Sequence, residues 1–276
     1  MSTRISQRQQ NDSALKCSPG SEERMSWRAE KEDLGRELIH ALYKNGMIKT
    51  WFRDNPNGWT LVSGIWSPLY IQLRPLSSYP ELLKNVGYAL STLIKEECGA
   101  VNRIIGVATA GIPIATAISL LGNIPSGFTR KLEGVRSLAD FNQFVKRYGE
   151  HSMIEGILAD GDAVGIVDDL VTKFDSKVVA LKQLEFEIKM RGLRDVRCSD
   201  VIVLLDREQG AEEIANEYGV ALHSLIPFRS KGVSWLKDVF AEQEYEVIVD
   251  YLRDPERYQD ARVQEDLRTS APHKGI

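Results

Sequence analysis

The chain has 276 residues, 43% of them hydrophobic, enough for one large α/β domain or two small ones with an ordinary packed core. A net charge of −4 supplies no general positive field, so a nucleic-acid binder is disfavoured and any phosphate recognition must be local. Cys17, Cys98 and Cys198 are too scattered for a disulfide framework or a CxxC metal site, and the N-terminus lacks a signal-peptide core. With no apolar run near the roughly 20 residues of a membrane span, a cytoplasmic setting without membrane contact is expected.

Residues 1–28 are rich in Ser, Gln, Arg and Glu without periodicity and read as a mobile tail. Leu34, Leu38, Ile39 and Leu42 mark one face of a first helix that Asn45-Gly46 stops. Trp59 to Val62 and Leu69 to Arg74 read as strands of a β-hairpin around the turn Ser63 to Pro68. Leu82, Leu83, Val86, Leu90, Leu93 and Ile94 form the stripe of a helix over 80–97.

Arg103 to Val107 then reads as a strand. Ala108-Thr109-Ala110-Gly111 turns from it into a helix starting at Ile112-Pro113, where proline is tolerated because no amide partner is needed. Open backbone amides at such a turn suit a diphosphate, although a generic strand-to-helix turn has the same pattern. Ser126 to Thr129 forms another short strand leading into Arg130-Lys131. Lys146-Arg147-Tyr148-Gly149 follow after the stretch 132–145.

The centre of the chain is Ala163 to Lys177. Its apolar start reads as a buried strand ending in Asp168-Asp169, followed by the turn Thr172 to Ser176 and a helix running to Gly192. In an open parallel sheet, ligands bind beyond the carboxyl ends of strands, where paired acids suit neighbouring hydroxyls, a cation or developing positive charge. An acid pair also serves simply as turn former and helix cap. A further buried strand, Asp200 to Leu205, ends in Asp206-Arg207-Glu208-Gln209-Gly210; Arg207 could pair with either flanking acid. His223, alone on a short strand, reads as structural. Helices are expected around 233–240 and 244–252, and residues 255–276 read as a loose tail, leaving 29–254 as the folded domain.

Four of these runs occur together and in order in one known family. Leu61 to Arg74, Gly111 to Thr116, the acid-pair strand and Leu205-Asp206-Arg207-Glu208-Gln209-Gly210 resemble the motifs of orotate phosphoribosyltransferases, members of the type I phosphoribosyltransferases. The resemblance implies an α/β fold with a parallel sheet flanked by helices and a small N-terminal hood. It implies transfer of ribose 5-phosphate from phosphoribosyl diphosphate (PRPP) to orotate by a homodimer, with Mg²⁺ carried on PRPP and no metal site of the protein's own.

Carried over residue by residue, Asp168 and Asp169 would hold the ribose and Lys146 would act on the leaving diphosphate in the neighbouring subunit. The resemblance implies that Lys146-Arg147-Tyr148-Gly149 sits on a mobile loop, in which residues 132–145 look like an insertion relative to the family pattern. Thr109, Ala110, Gly111, Arg130, Lys131, Tyr148 and Thr172 to Ser176 would bind PRPP. Ser63, Thr172 and Arg207 would meet orotate. The chain departs from the family at Val62, where a lysine is common, and at Phe174-Asp175, where the family has glycine and a small residue. Phe174 disfavours positive φ by roughly 1–2 kcal/mol, and Asp175, a good N-cap, could fill the helix amides a phosphate would use. A non-catalytic binding or regulatory protein on the same fold, or a transferase for another base, stays open on these departures.

Overall fold

The computed structural model describes residues 21–272 except 62 and 150, with side chains from residue 26. In chain order the elements are α1 (Ser21–Lys44), β1 (Ile48–Thr50), β2 (Trp59–Thr60), β3 (Trp66–Ser67), β4 (Leu69–Ile71), α2 (Pro80–Glu97), β5 (Arg103–Gly106), α3 (Gly111–Gly122) and β6 (Ser126–Thr129). There follow α4 (Leu138–Tyr148), β7 (Ile154–Glu155), β8 (Ala163–Val171), α5 (Asp175–Arg191), β9 (Arg197–Asp206), α6 (Ala211–Glu217), β10 (Ala221–Pro227), α7 (Val233–Trp235), α8 (Glu242–Arg253) and α9 (Ala261–Ser270).

Six strands make the main sheet in the order β10-β9-β8-β5-β6-β7, parallel except for β7 against β6. β8 and β9 sit inside the sheet and read as nearly continuous apolar runs because both of their faces are covered. Side-chain alternation assigns each face. Ile202 and Leu204 join the core formed with α1, α2 and α3, whereas Val201 and Val203 pack against α5 and α6. The expected parallel sheet flanked by helices is therefore present.

Several boundaries differ from the sequence reading. Residues 1–20 of the N-terminal tail lie outside the described residues, but 21–28 belong to α1, which reaches the core through Trp27 and Leu34. At the other end, α9 and the short 3-10 helix before it occupy part of the supposed tail, and Tyr258, Leu267 and Ala271 are buried against the main core. Few apolar residues among many charges hid that docking surface.

The hairpin also pairs differently. β2 pairs with β3, while β4 leaves it and joins β1, with Thr50 opposite Leu69. Val62 lies outside the described residues. Residues 138–148 form a helix where an inserted mobile loop was expected. Ser137 and Asp140 make a capping box, and buried Phe141 packs with Leu132, Met153 and Val179. Beyond β10 a single π-helical stretch, Phe228–Gly232, leads into α7, so the helix expected over 233–240 shrinks to one turn.

Candidate active site

The carboxyl ends of β5, β8 and β9 converge at one edge of the sheet. β8 is longer than its apolar run suggests: its nine residues carry Asp168 and Asp169 inside the strand, with Asp168 opposite Val203 and Leu170 opposite Leu205 of β9. The turn from β5 to α3 presses against them. A Cβ on Gly111 would meet the Val167 carbonyl at 2.5 Å and Asp168 Oδ1 at 3.3 Å, so only glycine allows this approach. Thr109 is exposed and Ala110 half-buried in that turn, and Ala108 N–H donates to Thr129 Oγ1 at 2.9 Å.

The two acids have different surroundings. Asp168 is buried, and both its oxygens are engaged: Oδ1 accepts from Asp169 N–H at 2.9 Å and Oδ2 from the Lys177 ammonium at 2.7 Å. Asp169 is half-buried and accepts from Leu170 N–H through one oxygen. Burial, then the neighbouring Asp168 charge, pushes its carboxyl up to about 7, opposed by Lys177. Asp169 is thus the acid of the pair that lacks enough positive charge around it.

Lys177, in the first turn of α5, also donates to the Leu170 carbonyl at 2.5 Å and lies 3.2 Å from Ser176 Oγ. The sequence reading passed over this residue. Its signal was present: Lys177 shares the helical stripe of Leu181, Leu184 and Ile188, where a lysine must be buried and therefore partnered.

Between β8 and α5, Phe174 adopts φ +71° and takes the position before the helix, so Asp175 is the first helical residue and not the N-cap. The Asp175 side chain is exposed and makes no cap bond. The amides of Thr172 to Ser176 donate to no protein acceptor among the described residues, leaving them free for an anion. The φ penalty of roughly 1–2 kcal/mol is offset by burying the Phe174 ring, worth about 2–3 kcal/mol, among Val171, Val178, Leu181, Val203 and Ala211. Lys173, Asp175 and Ser176 are exposed around the open amides, and Thr172 is half-buried.

Arg207 begins the turn after β9, its N–H on the Val171 carbonyl at 3.1 Å, which sets it beside Thr172. It makes no ion pair with Asp206 or Glu208; instead Asp206 accepts from Glu208 N–H at 2.8 Å, and Glu208 from Ser230 N–H. Arg207 Nε is buried and has no hydrogen-bond partner among the described residues, while the Tyr251 hydroxyl of α8 interacts with the same guanidinium. An unpaired guanidinium donor at a sheet edge suits a planar carboxylate or carbonyl ligand.

The other expected site residues follow β6 or lie on α4 and the hairpin turn. Arg130 is exposed and bound to Glu155 at 2.5 Å, and Lys131 is exposed beside it. Lys146 and Arg147 occupy the last turn of α4 with both side chains exposed, while Tyr148 donates to the Ser152 carbonyl at 3.0 Å. Ser63 is exposed on the hairpin turn, whose Trp66 is bound by Gln259 near the C-terminus.

No protein-family model matches the chain. It is 33% identical over 194 residues to the orotate phosphoribosyltransferase of Methanocaldococcus jannaschii, covering 70% of this chain and 94% of that one. The chain belongs to the orotate phosphoribosyltransferase family. A second family member, from Pyrobaculum calidifontis, is 33% identical over 70% of this chain and 89% of its own length. Among solved structures, the orotate phosphoribosyltransferase of Aeropyrum pernix superposes with a TM-score of 0.55 at 25% identity, covering 73% of this chain and 97% of that one. The UMP synthase of Leishmania donovani does so with a TM-score of 0.63 at 25% identity, over 79% of this chain and 42% of that longer one. The type I phosphoribosyltransferase fold expected of the family is the fold observed. Among the described residues, no helix is long and apolar enough to cross a membrane.

Proposed function

We propose that this chain transfers ribose 5-phosphate from PRPP to a ring nitrogen of orotate, giving orotidine 5′-monophosphate and diphosphate in pyrimidine nucleotide synthesis. The observation that carries the reading is the buried, unpartnered Arg207 Nε at the same sheet edge as Asp169 and the open amides of 172–176. One group suits the base, the second the ribose and the third the 5′-phosphate.

In this mechanism Thr172, Lys173, Phe174, Asp175 and Ser176 hold the 5′-phosphate through backbone amides and hydroxyls. Thr109, Ala110 and Gly111 seat the diphosphate against the acids. Asp169 meets the ribose hydroxyls and stabilises positive charge as the glycosidic carbon loses diphosphate. Arg207 orients orotate, with Ser63 and Thr172 at its margin. Arg130, Lys131 and Tyr148 bind the diphosphate of PRPP, and Lys146 from the neighbouring subunit of a homodimer neutralises the leaving group.

Mg²⁺ would arrive on PRPP and neutralise its diphosphate. Asp169, with one oxygen uncommitted, suits the ribose hydroxyls and a cation carried on PRPP better than Asp168, whose two oxygens are already engaged. A cytoplasmic location accords with this chemistry.

The test is PRPP-dependent consumption of orotate by the purified chain with Mg²⁺, beside Arg207→Met. Turnover is expected in the parent, with KM for orotate raised at least about tenfold in the variant and PRPP affinity retained. No turnover would transfer the reading to a binding protein on this fold. Turnover with another base would reassign Arg207.

A further inference from the structure

The segment from β8 into α5 carries Asp168, Asp169 and Asp175. A phosphate ester adds roughly two further negative charges at neutral pH. Two lysines belong to the same segment: Lys173 is exposed to solvent, whereas the Lys177 side chain is only 3% exposed and held by Asp168, the Leu170 carbonyl and Ser176. A fixed, desolvated ammonium acts through a lower effective dielectric than a solvated one, so Lys177 supplies the stronger local field.

Stability alone is a weak reason for this arrangement. A buried ion pair is commonly no more stabilising than apolar residues of the same volume, and Val178 and Leu181 show that the surroundings accept such residues. The location is more informative. Lys177 spans the base of the loop, joining the strand that bears the acids to the hydroxyl of Ser176, beneath the amides left open at 172–176.

Resting on the transferase reading above, we propose that Lys177 is the built-in counter-charge of the phosphate cradle. It neutralises Asp168 so that this acid-rich loop accepts the 5′-phosphate, and it leaves Asp169 as the acid free for the ribose. Lys177 is a positioning residue that acts through Asp168 and the loop without touching the reacting atoms.

Calorimetric titration of the full chain with ribose 5-phosphate, and separately with inorganic diphosphate, tests the inference on two backgrounds. Lys177→Met is expected to weaken ribose 5-phosphate binding about tenfold. Adding Asp168→Asn restores neutrality and recovers most of that loss, which a packing role for Lys177 would not do. Diphosphate binding, seated at the β5 to α3 turn, changes less than threefold.

Should Lys177→Met alone fail to fold, the comparison moves to Asp168→Asn against the neutral double variant. Retaining Lys177 is then expected to tighten ribose 5-phosphate binding about tenfold. Unchanged ribose 5-phosphate affinity on either background overturns the proposal, as does a diphosphate affinity that falls in step. A parent chain that binds neither PRPP nor ribose 5-phosphate overturns the transferase reading itself.

Discussion

Two clusters of partly buried charge flank the β8 and β9 strands, and they are built to opposite ends. On the α1 and α2 face, His223 bridges Glu97 at 3.2 Å and Asp200 at 2.9 Å. Glu97 also accepts from Trp27 and Lys31, and Asp200 from Ser199. Every charge there has an internal partner. The His223 imidazole is lifted to about 11 by Asp200, Cys98 and Glu97 against the effect of burial, and Glu97 is held down at about 2 by His223, Lys31 and Trp27.

At the carboxyl edge, among the described residues, the Lys177–Asp168 pair is closed while its neighbours are not. Asp169 is left with a raised pKa, Arg207 Nε has no partner, and the amides of 172–176 are open. A satisfied cluster ties four elements together, whereas an unsatisfied one at a strand edge stores binding capacity for a ligand. The contrast separates the fold's own charge network from its working site.

The sharpest way to break the comparison is Asp169→Asn. Turnover should fall by about 100- to 1000-fold, while thermal stability rises. A carboxyl whose folded pKa lies above its unfolded value costs stability once pH exceeds the unfolded value, and the neutral amide removes that cost. In the parent chain, kcat/KM should decline as pH falls below about 7, where Asp169 takes up its proton. A pH profile and a melting curve of both proteins check the pair of effects; a destabilised Asp169→Asn would mean that the edge is as self-satisfied as the other cluster.

His223→Asn should do the reverse, costing about 3 kcal/mol in denaturant unfolding with turnover nearly intact. Because the folded pKa of His223 lies above its unfolded value, its contribution is full below about 6.5 and fades as pH rises toward about 11. Glu97, with its folded pKa depressed, contributes above about 4.5 and loses that contribution as pH falls toward about 2. The parent should therefore lose stability on the alkaline side, and the variant should lack that part of the slope.

Phe174→Gly has the smallest expected effect. It removes a buried ring, at about 3–5 kcal/mol with the cavity, and recovers roughly 1–2 kcal/mol of backbone cost. A net loss near 2 kcal/mol follows, with affinity for ribose 5-phosphate changed less than threefold. Equal stability of parent and variant in urea would show that the ring is not what holds the left-handed turn.

Much of this site was legible in the residues because its signals are local. Apolar runs, the acid pair, Gly111 before a proline-tolerant helix start, and the Leu205 to Gly210 run all mark strand ends and turns within a few positions. The weak signals were equally physical. Ser137 and Asp140 announced a helix inside the supposed loop, and Lys177 lay on an apolar stripe.

By itself, then, the sequence determined the alternation of strands and helices and the residues placed at the carboxyl ends of the strands, since periodicity and turn chemistry act over neighbouring residues. Only the tertiary structure decided which charges were consumed within the protein. Whether Lys177 reaches Asp168, whether Phe174 finds a core that offsets its φ of +71°, and whether Arg207 Nε stays without a partner depend on packing between β8, β9, α5 and α8. Those partners meet through folded geometry, because a side chain's free energy is set by the dielectric and the donors around it, which no short window of sequence contains.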